Sequence, residues 1–180
     1  MVRPIIKYGD PILSKLTKPV SDFSCIEDLI QDMFDTMYEE EGIGLAANQI
    51  GIDLNLLVVD ISHTEEWDES MVFANVEIID FNGESVIEEG CLSLPEIRFD
   101  VTRPEEIVLK YQDQTGKQIE SEFGGLMARV LQHEIDHLNG VMTIDYLSPL
   151  QFQQYKNRLQ KLTNRQKEET QEQFSRGIVL

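Results

Sequence analysis

The sequence predicts an α+β fold, with small antiparallel β-sheets packed around a central helix and a further helix at the C-terminal end. Three observations carry that prediction. Several short apolar runs between residues 56 and 123 read as strands. One segment before them and two after read as helices. Strands and helices do not alternate in a βαβ rhythm, and neither an internal repeat nor a low-complexity linker interrupts the chain.

The first helix is predicted over 24–41. Ser24 can cap it, with Glu27 three residues later completing a capping-box pattern. Ile26, Leu29, Ile30, Met33, Phe34 and Met37 then recur at helical spacing, and Gly42 and Gly44 end the element. Leu56-Leu57-Val58-Val59 reads as a buried strand, followed by strands at about 72–79, 86–88, 107–111 and 119–123. Gly124-Gly125 opens the central helix, 126–138, and Asn139-Gly140 supplies its stop. Ser148-Pro149 gives an N-cap with Pro at the first helical position, starting a third helix over about 149–168.

Bulk properties narrow the function. A chain of 180 residues fits one domain and buries a core without disulfide staples. No apolar run approaches the roughly 18–20 residues of a membrane span, so no membrane partner is expected. Two cysteines at unlike positions form no disulfide framework, which points to a reducing cytoplasm. The net charge of −18 is uneven. Residues 151–180 hold six bases and three acids, a balance of +3, which leaves −21 for 1–150. An acidic body repels nucleic acid, so direct DNA binding is not expected. The basic tail is either a solvated helix face or a docking helix for an RNA-rich partner.

The chemistry concentrates in three short segments. In His133-Glu134-Ile135-Asp136-His137 the two imidazoles sit about 40° apart on one helix face, one turn from each other. Such a pair can bind one metal ion, with the intervening Glu134 as general base. Asp136 falls to the other side, a structural position with Arg98 or Arg103 as candidate partners. A catalytic site of this kind wants a third ligand, and Cys91 in Glu89-Gly90-Cys91-Leu92-Ser93 is the best candidate, just after a predicted strand. Cys25 reads as a small buried hydrophobe and His63 as an exposed loop residue. In Gly42-Ile43-Gly44-Leu45-Ala46-Ala47-Asn48-Gln49 small residues permit close backbone approach, and Gln49 ends in a neutral amide donor. The Lys and preceding strand of a phosphate loop are lacking.

In order and approximate spacing, these three segments resemble the signature motifs of the peptide deformylases. The similarity extends over nearly the whole chain, including Ile6-Lys7-Tyr8-Gly9-Asp10-Pro11 and Asp145-Tyr146-Leu147-Ser148-Pro149-Leu150. The resemblance implies one catalytic domain over 1–170 with a flexible tail over 171–180. It implies hydrolysis of the N-formyl group from the N-formylmethionine of nascent polypeptides, releasing formate. Cys91, His133 and His137 become the metal ligands, with Fe2+ the expected ion and Zn2+ or Ni2+ alternatives. A metal-bound hydroxide attacks the formyl carbon, with Glu134 as acid and base. Gln49 and the Leu92 N–H stabilise the oxyanion, where one such donor is commonly worth about 3 kcal/mol of barrier.

Further positions follow from the same resemblance. Ile43, Ile87 and Leu126 match residues lining a slot for the methionine side chain, with Gly44, Glu89 and Gly90 beside them, and Arg98 matches a residue near the peptide backbone. Arg129 is a departure, standing where an apolar pocket residue is expected. Its stem can lie over apolar surface so that it caps the slot's mouth. The basic C-terminal helix becomes a candidate ribosome-docking element. Two rivals remain: a metallopeptidase, which needs neither Cys91 nor Gln49, and a non-catalytic metal-binding module, which tolerates loss of Glu134.

Overall fold

A computed structural model describes the backbone of residues 1–176, and their side chains apart from those of 170 and 172–176. In chain order the elements are α1 (Glu27–Glu39), β1 (Gly44–Ala46), β2 (Leu56–Val59), β3 (Met71–Asn82), β4 (Ser85–Cys91), β5 (Leu94–Arg103), β6 (Glu106–Gln112), β7 (Gln118–Phe123), α2 (Gly125–Leu138) and α3 (Pro149–Arg176). Single 3₁₀ turns lie at Pro11–Ser14, Ala47–Ile50 and Thr143–Tyr146. Five strands form one antiparallel sheet in the order β1-β2-β3-β6-β7, while β4 and β5 pair only with each other. The α+β class is therefore the observed one.

Strand β2 explains the layering. Its four residues are all buried because both faces of the sheet are covered at that point. Side chains alternate across a strand, so Leu57 and Val59 face α2 with Phe73, Leu109, Met127, Leu131 and Ile135. Leu56 and Val58 face α1, where Ile30, Met33 and Met37 pack with Leu45 and Ala74. Helix α2 thus lies on the inner face of the sheet, which fixes the direction in which its remaining polar face points. A third cluster, Leu13, Leu94, Ile97, Met142, Ile144 and Leu159, joins the N-terminal segment to β5 and to α3.

Some predicted boundaries shift for identifiable reasons. Helix α1 begins at Glu27, not at residue 24, because the Ser24 N–H and hydroxyl both donate to Asp22 Oδ1 at 2.9 and 2.6 Å, in a local turn that competes with the cap. Strand β5 is not among the expected strands, since Pro95 and alternating charges break its apolar pattern, and β1 has only three residues. Helix α3 starts as predicted: Ser148 Oγ accepts from the Gln151 N–H at 3.3 Å while Gln151 Oε1 accepts from the Ser148 N–H at 3.0 Å. It runs past 168 to Arg176, across part of the stretch expected to be a tail, whose final residues 177–180 lie outside the described ones. At the other end of α2, Gly140 has φ +74°, and a Cβ there would come 2.7 Å from the Ser14 backbone.

Candidate metal centre

Two helical residues and one strand residue build the centre. On α2, His133 and His137 project from the face turned away from the sheet, with ring centroids 5.0 Å apart. Strand β4 ends in a register shift between Gly90 and Cys91, an irregularity that re-aims the Cys91 side chain toward the helix. Cys91 Sγ lies 3.2 Å from His137 Nε2, and the three donor atoms of Cys91, His133 and His137 all fall within 4.8 Å of one another.

The donor set fits a divalent transition-metal ion. One thiolate and two imidazoles leave a fourth position of a tetrahedral site open, the pattern of catalytic rather than structural sites. Burial would push the Cys91 thiol up, but the neighbouring His137 and His133 hold it well below its ordinary value, toward the thiolate that binds metal. Glu89 Oε2 sits 2.9 Å from His133 Nδ1, leaving Nε2 of that ring for a ligand bond. His137 Nδ1 is buried without a hydrogen-bond partner among the described residues, as is Glu134 Oε2.

Glu134 lies beside the donors and lines the same cleft. Burial pushes its carboxyl above the ordinary value despite the two nearby imidazoles, which suits a group that takes up a proton and returns it. Gly44 makes room for it: a Cβ on that residue would stand 2.8 Å from Glu134 Oε1 and 2.7 Å from Val130 Cγ1. The Gln49 amide is oriented by the Ala46 N–H, which donates to its Oε1 at 2.9 Å. Its Nε2 therefore turns toward the centre, 3.3 Å from Ser93 Oγ and 3.9 Å from Cys91 Sγ. Leu92 follows Cys91, and its carbonyl accepts from Lys7 Nζ at 2.9 Å.

A cleft of about 510 Å³ opens over these residues. It brings together all of the expected pocket positions: Ile43, Gly44, Ile87, Glu89, Gly90, Arg98, Leu126 and Arg129. Gly90 allows the Arg98 side chain to lie across the strand, because a Cβ would stand 3.1 Å from the Arg98 Cζ. Val130 and Lys7 also line the cleft and were not anticipated; Val130 is one step along α2 from Arg129, and periodicity alone marks it as core.

Three expectations need correction or choice. Arg129 does not cap the mouth of the slot. It is 4% exposed, and its guanidinium turns inward to Glu89 Oε1 at 2.8 Å, because a buried carboxylate and free carbonyls offer it more than solvent does. Asp136 pairs with Arg103 at 2.7 Å and accepts from the Tyr146 hydroxyl at 2.8 Å; Arg98 is not its partner. Cys25 is exposed, not buried, since α1 begins beyond it; His63 is exposed as expected. Sequence reasoning missed that Arg103 also grips Glu89 with two donors, Nε at 2.6 Å and Nη2 at 3.0 Å. Burial would raise the Glu89 carboxyl, but His133, Arg103 and Arg129 hold it well below the usual carboxylate range.

Comparison with known proteins adds an independent line. The profile of the polypeptide deformylase family matches residues 2–153. A peptide deformylase of Acidobacterium capsulatum is 45% identical over 163 residues, covering 90% of this chain and 96% of that protein. One from Chromobacterium violaceum is 49% identical over 158 residues, covering 87% and 93%. Among solved structures, the peptide deformylase from Legionella pneumophila superposes with a TM-score of 0.83 at 44% identity, over 92% of this chain and 98% of that one. The enzyme from Thermus thermophilus gives a TM-score of 0.86 at 39% identity, over 92% and 99%.

Proposed function

The chain belongs to the polypeptide deformylase family, and from that premise we propose that it hydrolyses the N-formyl group of N-formylmethionine at the start of nascent polypeptides. One observation carries the reading: a thiol and two imidazoles converge beside a buried carboxylate with one oxygen unpartnered among the described residues, and Cys91, His133 and Glu134 line the cleft. Cys91 Sγ, His133 Nε2 and His137 Nε2 would hold the ion, with Fe2+ as the native choice and Zn2+ or Ni2+ as substitutes. When bound, a divalent ion there supplies Lewis-acid activation of water and of the formyl oxygen.

The chain's own residues do the rest. Glu134 takes a proton from the attacking water as its oxygen adds to the formyl carbon. The Gln49 side-chain amide and the Leu92 N–H donate to the oxygen that gains charge in the tetrahedral intermediate. Glu134 then gives its proton to the leaving nitrogen, the C–N bond breaks, and formate and a free amine result. Ile43, Ile87 and Leu126 receive the methionine side chain, while Arg98 steadies the peptide behind it. Glu89, fixed by two arginines, keeps the His133 ring in the tautomer that leaves Nε2 free.

Partners and place follow from the same reading. No described helix is long and apolar enough to cross a membrane. We infer action in the cytoplasm on emerging chains, with α3 as a ribosome-docking element and no direct contact with DNA. Support for the docking role comes from α3 itself: Leu159 and Gln166 are buried against the body, which leaves Lys161, Arg165 and Lys167 exposed.

The test is release of formate from formyl-Met-Ala-Ser compared with cleavage of the unformylated peptide. Formate and intact Met-Ala-Ser are the only products expected. Cleavage between Met and Ala would move the chain to the metallopeptidases.

A further inference from the structure

The β4–β5 ribbon makes no backbone pairing with the five-stranded sheet, yet it carries Cys91 while α2 carries His133 and His137. Side chains must therefore set the distance between ribbon and helix, and Arg129 is the most heavily engaged of them. Its Nη1 donates to Glu89 Oε1 at 2.8 Å and to the Val101 carbonyl at 2.9 Å. Its Nη2 donates to the Ser85 carbonyl at 2.9 Å and to Ser85 Oγ at 2.8 Å. One guanidinium on α2 thus grips β4 at two places and β5 at a third. The other oxygen of Glu89 is the one that meets His133 Nδ1.

We propose that Arg129 is a positioning residue for the metal centre: by clamping the ribbon to α2 and holding Glu89 behind His133, it fixes Cys91 relative to the two histidines. The proposal rests on the reading of Cys91, His133 and His137 as ligands. The planar fork matters, because an ammonium group cannot reach four acceptors spread over three residues of two strands. Removing the fork takes a donor from the Val101 and Ser85 carbonyls and leaves Glu89 with Arg103 and His133 as its charged or imidazole partners. The apolar stem stays available as cleft wall, which reconciles a charged residue with a slot for an uncharged side chain.

Two variants test it. Arg129→Met keeps the stem and removes the fork, and Arg129→Lys keeps the charge but not the geometry. The readouts are the rate at which the Zn2+-loaded protein loses metal to a chelator and the absorption spectrum of the Co2+-loaded form. Arg129→Met is expected to lose metal about tenfold faster, the range seen when partners behind metal-binding histidines are removed. Its Co2+ bands shift, and Arg129→Lys moves the same way by less. Val58→Ala, which opens a cavity on the opposite face of the sheet, lowers the melting temperature but keeps the wild-type chelation rate and spectrum. Wild-type values in either folded Arg129 variant overturn the proposal, and Arg129→Lys decides alone should Arg129→Met not fold. A wild-type protein that binds no metal, or a Cys91→Ala variant that keeps it, would instead sink the ligand reading on which this one stands.

Discussion

Glu89 and Glu134 are both buried beside His133, yet their carboxyls are driven in opposite directions. Burial raises both. At Glu89 the imidazole and two guanidinium groups outweigh it, so the folded value falls below the unfolded value of about 4.3. Its stabilisation is present above that pH and is lost as pH falls through the folded value. Glu134 has no cation in hydrogen-bond contact, so its folded value is raised and its contribution runs the other way, present at acid pH and lost as pH rises. Melting curves of the metal-free protein against pH should show both signs. Glu89→Gln is less stable than wild type near neutral pH, with a gap that narrows below about pH 4. Glu134→Gln is at least as stable as wild type there, while formate release falls by about 10²–10⁴-fold. A Glu134→Gln variant of undiminished activity would remove that residue from the proton transfer. Residues with a fixed spacing, such as His133 and His137, were legible in sequence. The partner of Arg129 was not, because Glu89 is 40 positions away and nothing local joins them.

Between β1 and α2 the spacing is set by a missing side chain. Gly44 lies where any Cβ would press on Val130 Cγ1 and Glu134 Cγ, at 2.7 and 2.9 Å. Gly44→Ala is expected to fold with modest loss of stability and to lower the rate of formate release by displacing the Glu134 carboxylate, with metal content unchanged. Equal rates in the variant and the wild type would show that the helix yields without consequence. The helices were readable because their apolar faces repeat without interruption, as those of α1 and α2 do, and β2 because its four residues are all apolar. Strand β5 was hidden by Pro95 and by charges on its outward positions, an arrangement a two-stranded ribbon tolerates and a central strand does not. The start of α1 differs from the expected one because Ser24 has a nearer partner in Asp22.

At the scale of the molecule, a sheet covered on both faces supplies rigidity, and a separate ribbon supplies Cys91 and one wall of the cleft. The α+β class was legible because strand runs and helical runs segregate along the chain. That β4 and β5 form a sheet of their own was not, since pairing is decided by tertiary packing and not by local pattern. The charge asymmetry bears on α3, whose buried stripe anchors it while Lys161, Arg165 and Lys167 remain outside. Reversing these three to Glu should weaken co-sedimentation with ribosomes in low salt, and wild-type binding should itself fall as salt rises. Salt-insensitive binding, or binding unchanged by the reversal, would exclude docking through this face.

The proposed chemistry of the cleft depends on Cys91 completing a ligand set with His133 and His137. The most direct test is anaerobic purification of wild type and Cys91→Ala, with metal analysis and a formate-release assay on formyl-Met-Ala-Ser. One divalent metal ion per wild-type chain is expected, with loss of both metal and formate release in the variant. A Cys91→Ala protein that retains full activity would contradict that assignment.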